Sequence, residues 1–474
     1  MTLPSALVEQ PKAGDLDRWL VFATTWALAV LFHLAGNSWL APWWGKALLG
    51  LGALAVLARP RSVAPVVVLA LAVLANVWLE APLLSNHFLL HGMIALVVLG
   101  VVVLGPTGPE RAMAHMLGPL RLLLLAFYGF AALAKLNHDF FDPAVSCGAQ
   151  FLRESASSWG FGSLVDDLGA GPNRAIAVAV AGIELSVPIL LAVRRTRVVG
   201  VVVAVAFHFV LAINQDHQFF DFSAVLVVLF LLFLPSETVA ALVDRLRRLS
   251  TGLRHRWTSG PELLRLGGIA VAATVAVGAA WSEELDLRWV LHDAGVWSWL
   301  GYGMATLVVV ALAVRGSPER AGPLLAPGTR RILLAVPVLA VLNGLTPYVE
   351  VKTAASWNMY SNLAVVDGES NHLLVRRGLP LTDAHERLVE IIEADGVDLG
   401  FYIGSDWRLP EVMLEDHLAE RPGAVVVGLV DGEEVRYDGG QGGARPTWRQ
   451  KLQVFRAVDG EGPVGCQPSF GPAR

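Results

Sequence analysis

Lysine is scarce in this sequence. Of its 36 basic residues only Lys12, Lys46, Lys135, Lys352 and Lys451 are lysines, and the rest are arginine. Low lysine beside abundant Ala, Val, Gly and Arg is the signature of a GC-rich coding sequence. Charge is scarce as well. Asp, Glu, Lys and Arg make up 16% of the 474 residues, where a soluble domain carries about a quarter. That shortfall argues against an ordinary cytosolic enzyme. A net charge of -5 leaves no basic footprint for nucleic acid. Cysteine occurs twice, as Cys147 and Cys466. Internal repeats and low-complexity segments are missing.

Apolar side chains fill the space instead, at 54% of the chain. A membrane-crossing helix needs roughly 20 mostly apolar residues. Runs of that kind lie at 18–40, 43–58, 63–83, 87–105, 117–137, 174–194, 197–215, 218–235, 264–282, 296–314 and 330–347. The first has no small-residue cleavage site behind it and reads as a retained helix. The sequence therefore predicts an α-helical polytopic membrane protein of about 11 spans. Residues 1–17 form an N-terminal segment, 18–347 the membrane domain and 348–474 a small α+β domain.

Arginines mark one set of loops. Arg59 and Arg61, Arg111 and Arg121, Arg194, Arg195 and Arg197, Arg245 through Arg256, and Arg315 through Arg331 fall in alternate connections. Short cytoplasmic loops are enriched in Lys and Arg. The pattern places the amino terminus inside and the C-terminal domain outside a multi-pass plasma membrane protein. Loop 138–173 is then outside with Cys147, and the tail is outside with Cys466. Two cysteines in an oxidising compartment can pair.

The tail is richer in charge and glycine. Residues 382–394 begin with a Thr cap and show helical spacing. Residues 424–430, followed by Asp431-Gly432, read as a hairpin. Residues 446–457 are read as a further helix.

Polar groups inside apolar runs are functional candidates, because each costs free energy in hydrocarbon. Lys135 closes its span in FYGFAALAKLNHDFF. A snorkelling lysine is the plain alternative. The functional one is a general base, since a dry pocket disfavours the ammonium form and a neutral amine can take a proton from a phenol. His87 follows Asn86, with His91 four residues later on the same helix face. A third metal ligand is not evident there, so no metal is predicted and His87 is read as a hydrogen-bonding partner. His208 lies in an apolar span that ends near Asn214, and Glu184 is the most deeply placed acid. Residues 342–375 pack Asn, Tyr, Met, Trp and His without clean periodicity. Irregular backbone at that depth is tolerated where it is buried or lines a cavity.

Four pieces together resemble the HTTM family (horizontally transferred transmembrane domain), which includes the vitamin K-dependent gamma-carboxylase. They are SNHFLLHG (85–92), GFAALAKLNHDFF (129–141), FHFVLAINQDHQFFDF (207–222) and the PYVEVKT, WNMYSNL and SNHLLV stretches of 347–375. The resemblance implies that Lys135 is the catalytic lysine and His87 its partner. It implies quinone contacts from His208, Asn86, Asn214, Tyr128, Met359, Asn362, Asn371 and His372. The implied chemistry is deprotonation of reduced vitamin K or menaquinol, reaction with O2 to an epoxide, and addition of CO2 to a protein glutamate. The expected partners are the lipid bilayer, the quinol and a secreted or membrane glutamate-containing protein. Asn137 departs from the animal pattern, where an aspartate follows the lysine and leucine. The outer domain is also much smaller than in the animal enzyme. A transporter or a non-catalytic lipid- or quinone-binding protein is the alternative on the same scaffold, and a membrane scaffold with a partner-binding tail is a third.

Overall fold

The computed structural model describes residues 14–37, 40–105, 108–244, 288–315, 322–325, 329–440, 445–459 and 462–466. The expected span at 264–282 lies outside the described residues. The chain is mostly helical, with a sheet near its C-terminus. It divides into two compact units. The first comprises Met1–Leu79, His87–Ala126 and Ser186–Ala340, and the second Glu80–Asn86, Phe127–Leu185 and Val341–Arg474.

Among the described residues six helices are long and apolar enough to cross a membrane. They are α1 (Asp15–Asn37), α3 (Val63–Glu80), α4 (Asn86–Val103), α5 (Pro109–Ala134), α7 (Ala170–Ala192) and α11 (Arg288–Arg315). A seventh crossing is the bent pair α9 (Phe219–Leu231) and α10 (Ser236–Asp244). Helices α2 (Trp43–Ala58), α8 (Arg197–Leu211) and α12 (Ala335–Leu345) are apolar but shorter. By length and composition these helices are those of a membrane-embedded protein. Among the described residues six or seven spans qualify, so eleven are not confirmed: three of the apolar runs form helices shorter than a bilayer needs, and 264–282 is not described.

In the first unit α1 and α9 are central and pack on each other. Every residue of α9 except Phe222 is buried. A helix that is apolar all round belongs inside a protein or a bilayer. By contrast only 33% of the best apolar window of α11 is buried, against 72% for α1. Helix α11 therefore leaves more of its apolar surface uncovered by protein than α1 does.

Helix α9 breaks before Pro235, and α10 turns away by 114°. The break frees carbonyls that would otherwise bond within the helix. Arginines satisfy them. Arg121 Nε and Nη2 donate to the Leu232 carbonyl at 2.9 and 2.7 Å. Arg18 Nη2 donates to the Leu234 carbonyl at 2.7 Å. Cations suit this end of a helix because its dipole is negative there.

The second unit carries α6 (Cys147–Ser158), a short antiparallel pair β1 (Val365–Val366) and β2 (Glu369–Ser370), and a five-stranded sheet. The sheet contains β3 (Leu388–Asp395), β4 (Trp407–Pro410), β5 (Val425–Val430), β6 (Glu433–Asp438) and β7 (Val458–Asp459) in the order β6-β5-β3-β4-β7. All neighbours are antiparallel. Helix α13 (Glu411–Ala419) lays Leu414 and Leu418 on Val389, Ile391, Leu409 and Val426.

The expected hairpin is present as β5–β6. Asp431 and Gly432 both have positive φ, 53° and 82°, as the favoured two-residue hairpin turn requires. Residues 446–457 are helical only over α14 (Thr447–Leu452). The helix expected at 382–394 is corrected, since 388–395 form the central strand β3. Leu388, Ile391 and Ile392 fit helical spacing, but Val389 and Ile391 alternate with more exposed neighbours and face the sheet core. Pairing on both edges outweighs the local pattern.

Candidate functional site

Within the second unit the functional candidates gather around Lys135. Helix α5 stops at Ala134, and Lys135 is the first residue beyond it. Its side chain is buried at 6% exposure, and Nζ lies 2.8 Å from Glu184 Oε2 on α7. Nζ also donates to the carbonyls of Ala131 and Met359, each at 3.4 Å. The snorkelling alternative requires an ammonium in water, whereas this one is enclosed by a carboxylate and two carbonyls.

Met359 belongs to a stretch of unusual backbone. Glu350, Ala355, Trp357, Tyr360 and Asn362 all have φ between 48° and 60°. Non-glycine residues avoid this left-handed region unless their surroundings over-determine it. Side-chain amides supply that restraint. Asn343 Nδ2 donates to the Ala355 carbonyl at 2.9 Å, and Asn358 Nδ2 to the Thr353 carbonyl at 3.0 Å. The Trp357 N–H donates to Asn86 Oδ1 at 2.7 Å. Asn137 Nδ2 donates to the carbonyls of Ala134 and Ser361, fixing the chain on both sides of Lys135.

Asn86 and Lys135 thus hold the same short segment, one at Trp357 and the other at Met359. Asn86 Nδ2 is buried and has no hydrogen-bond partner among the described residues. A buried unspent donor costs free energy, and it suits an acceptor oxygen on a ligand. Tyr128 is buried in the same unit.

Other predicted residues of this unit brace the segment. Asn362 Nδ2 donates to the carbonyls of Val145 and Val464, while its Oδ1 accepts from the Cys147 N–H. Cys147 is joined to Cys466 by a disulfide. Asn371 Nδ2 donates to Asp139 Oδ2 and the Asn362 carbonyl, both at 2.7 Å. His372 Nε2 donates to the Leu133 carbonyl at 2.9 Å, and its Nδ1 accepts from the N–H groups of Leu374 and Val375. Both ring nitrogens of His372 are therefore committed to the backbone. Burial holds this imidazole below its ordinary value.

The first unit holds a second cluster, built on Asp221 of α9. His87 Nε2 lies 2.7 Å from Asp221 Oδ2, and His33 Nδ1 of α1 lies 2.8 Å from the same oxygen. Asn37 Nδ2 donates to it at 2.6 Å. His91 Nδ1 accepts from Trp26 Nε1 at 3.0 Å, so the spacing of His87 and His91 does not make them one ligand pair. His208 pairs with Ser223 Oγ at 3.2 Å. Asn214 Oδ1 accepts from the N–H groups of Asp216 and His217 and closes the turn after α8.

Asp221 and His33 escape a reading of the motifs, as does the pairing of Lys135 with Glu184. The signal for Asp221 was present as an acid in the apolar run FFDFSAVLVVLFL. His33 likewise interrupts the apolar helix α1. In sequence Asp221 lies 134 residues from His87 and 188 from His33, on a different helix from each. No family model matches this chain, nor does any curated protein or solved structure.

Proposed function

We propose that this is an integral membrane enzyme in which Lys135 accepts a proton from a lipid-soluble hydroquinone. The supporting observation is the enclosed Lys135–Glu184 pair, 2.8 Å across, beside the strained segment at Met359. A lysine held as ammonium cannot act as a base. Along a hydrogen bond of this length one proton separates the ion pair from the neutral amine and acid. Glu184 is the group placed to exchange a proton with Lys135 during turnover. The Asn86 amide, with its unspent donor, supports the phenolate that forms.

In this reading menaquinol or reduced vitamin K is the co-substrate and O2 the oxidant. One oxygen atom enters the quinone epoxide, and the other leaves as water. Coupling to CO2 addition at a protein glutamate is the fuller form of the same proposal, with the glutamate γ-proton removed by the oxygenated quinol. The enzyme sits in the plasma membrane with its amino terminus inside and the sheet domain outside, as the arginine-bearing loops indicate.

The test uses purified protein with reduced menaquinone, O2 and labelled CO2. The expected product is quinone epoxide, lost in Lys135→Ala, and label in an added glutamate peptide reports the coupled reaction. Absence of epoxide from the wild type, or equal epoxide from Lys135→Ala, refutes the proposal.

A further inference from the structure

His33, His87 and Asp221 come from α1, α4 and α9, and their ligand atoms lie within 4.8 Å of one another. Such a set can hold a metal ion. The distances favour hydrogen bonds instead. Both imidazole nitrogens approach one carboxylate oxygen at 2.7 and 2.8 Å, the length of a charge-assisted N–H···O bond. A carboxylate only accepts, so each of these nitrogens carries its proton. Asn37 adds a third donor to the same oxygen.

Exposure separates the members of the cluster. The His87 side chain is 14% exposed, while His33 and Asp221 are at 1% and 0%. His87 is thus the member a ligand can reach, and the others stand behind it. His33 is itself fixed, since Phe88 stacks on it at 3.8 Å with the rings 5° from parallel. The carboxylate cannot rotate without losing all three donors.

We propose that Asp221 is a positioning residue that fixes His87 as the Nε2–H tautomer, with His33 and Asn37 locking the carboxylate. A neutral imidazole carries one N–H. With that proton turned toward Asp221, Nδ1 is the ring's acceptor. An orienting carboxylate behind a histidine is a recurring device for choosing which nitrogen works. The role of His87 in turnover rests on the quinol reading, but the tautomer does not.

The tautomer is read by solid-state nitrogen NMR of full-length protein labelled with 15N-histidine in lipid bilayers. The His87 signals are assigned by their loss in His87→Gln. The expected wild-type spectrum shows protonated Nε2 and unprotonated Nδ1, and Asp221→Asn mixes the tautomers. Under the quinol reading Asp221→Asn also lowers epoxide turnover about a hundredfold with little change in quinol KM. The expected tautomer without epoxide in the wild type upholds the positioning role and refutes the quinol reading alone. A wild-type His87 protonated at Nδ1 overturns the proposal without any need for a folded variant. So does a stoichiometric metal ion that is lost in His33→Ala, or a tautomer that Asp221→Asn leaves unchanged.

Discussion

At the scale of single residues, the Lys135–Glu184 pair makes a stability prediction separate from catalysis. Two charges removed from water gain little by pairing, but removing one partner strands the other. Glu184→Gln should destabilise the protein by about 3–5 kcal/mol, because the ammonium loses its carboxylate in a dry site. The double variant Lys135→Met with Glu184→Gln should melt closer to wild type than Glu184→Gln alone. Thermal melting in detergent checks the order of the three. His385 makes a pH prediction. It is 1% exposed, with Nδ1 donating to the Val365 carbonyl at 3.2 Å and its ring packed on Phe455. Burial pushes this imidazole down to about 4, whereas a free histidine titrates near ~6.5. Between those values the unfolded chain binds a proton that the folded chain refuses. Stability is therefore complete above about 6.5 and falls as pH drops toward about 4, by on the order of 3 kcal/mol. His385→Leu should flatten that slope, measured by amide exchange of the surrounding sheet domain across the same pH window.

At the scale of elements, sequence and structure agree where local chemistry decides the outcome. The Asp431-Gly432 turn is one such place, since few pairs adopt two left-handed residues in succession. The six long apolar helices are another, because their length is itself the signal. Strand β3 shows the reverse. Leu388, Ile391 and Ile392 satisfy a helical spacing and a strand equally, and only the partners β4 and β5 settle it. The site was legible in the same uneven way. Lys135 stood out as a costly residue in a motif, yet its carboxylate lies on another helix, and Asp221 and His33 each looked like one polar residue among many apolar ones. Long-range pairing leaves no mark in one sequence. The sheet itself can be tested at Gly428 of β5. A Cβ there would sit 2.8 Å from the Glu390 carbonyl oxygen on β3 and against the Val389 side chain. Overpacking of this kind costs about 1–3 kcal/mol. Gly428→Ala should raise amide exchange along β3 and β5 while leaving α1 and α9 protected.

At the scale of the whole molecule, the disulfide and the arginines jointly constrain topology. Helix α5 carries Arg111 and Arg121 in its first half and leads to Lys135 and Cys147. Helix α7 returns from that connection to Arg194, Arg195 and Arg197. If arginine-bearing ends lie in the cytoplasm, the connection holding Cys147 lies outside. Cys466 is bonded to Cys147, so the C-terminal domain must share that side. Disulfides persist in oxidising compartments and are rare in the cytosol, which leads to the same side by a separate route. If the amino terminus lies in the cytoplasm as well, the number of crossings between it and the sheet domain is odd. The described helices supply six or seven candidates, and parity selects among the ways of completing them. A C-terminal alkaline phosphatase fusion should be active and a C-terminal green fluorescent protein fusion dark when exported through the general secretory route. A fusion at the connection after α7 should give the opposite pair. In intact cells an impermeant maleimide should label the protein only after reduction, and Cys147→Ser should leave Cys466 labelled without it. Cytoplasmic fluorescence from the C-terminal fusion would break the link between arginine placement, disulfide and topology, because no arrangement of crossings then satisfies all three.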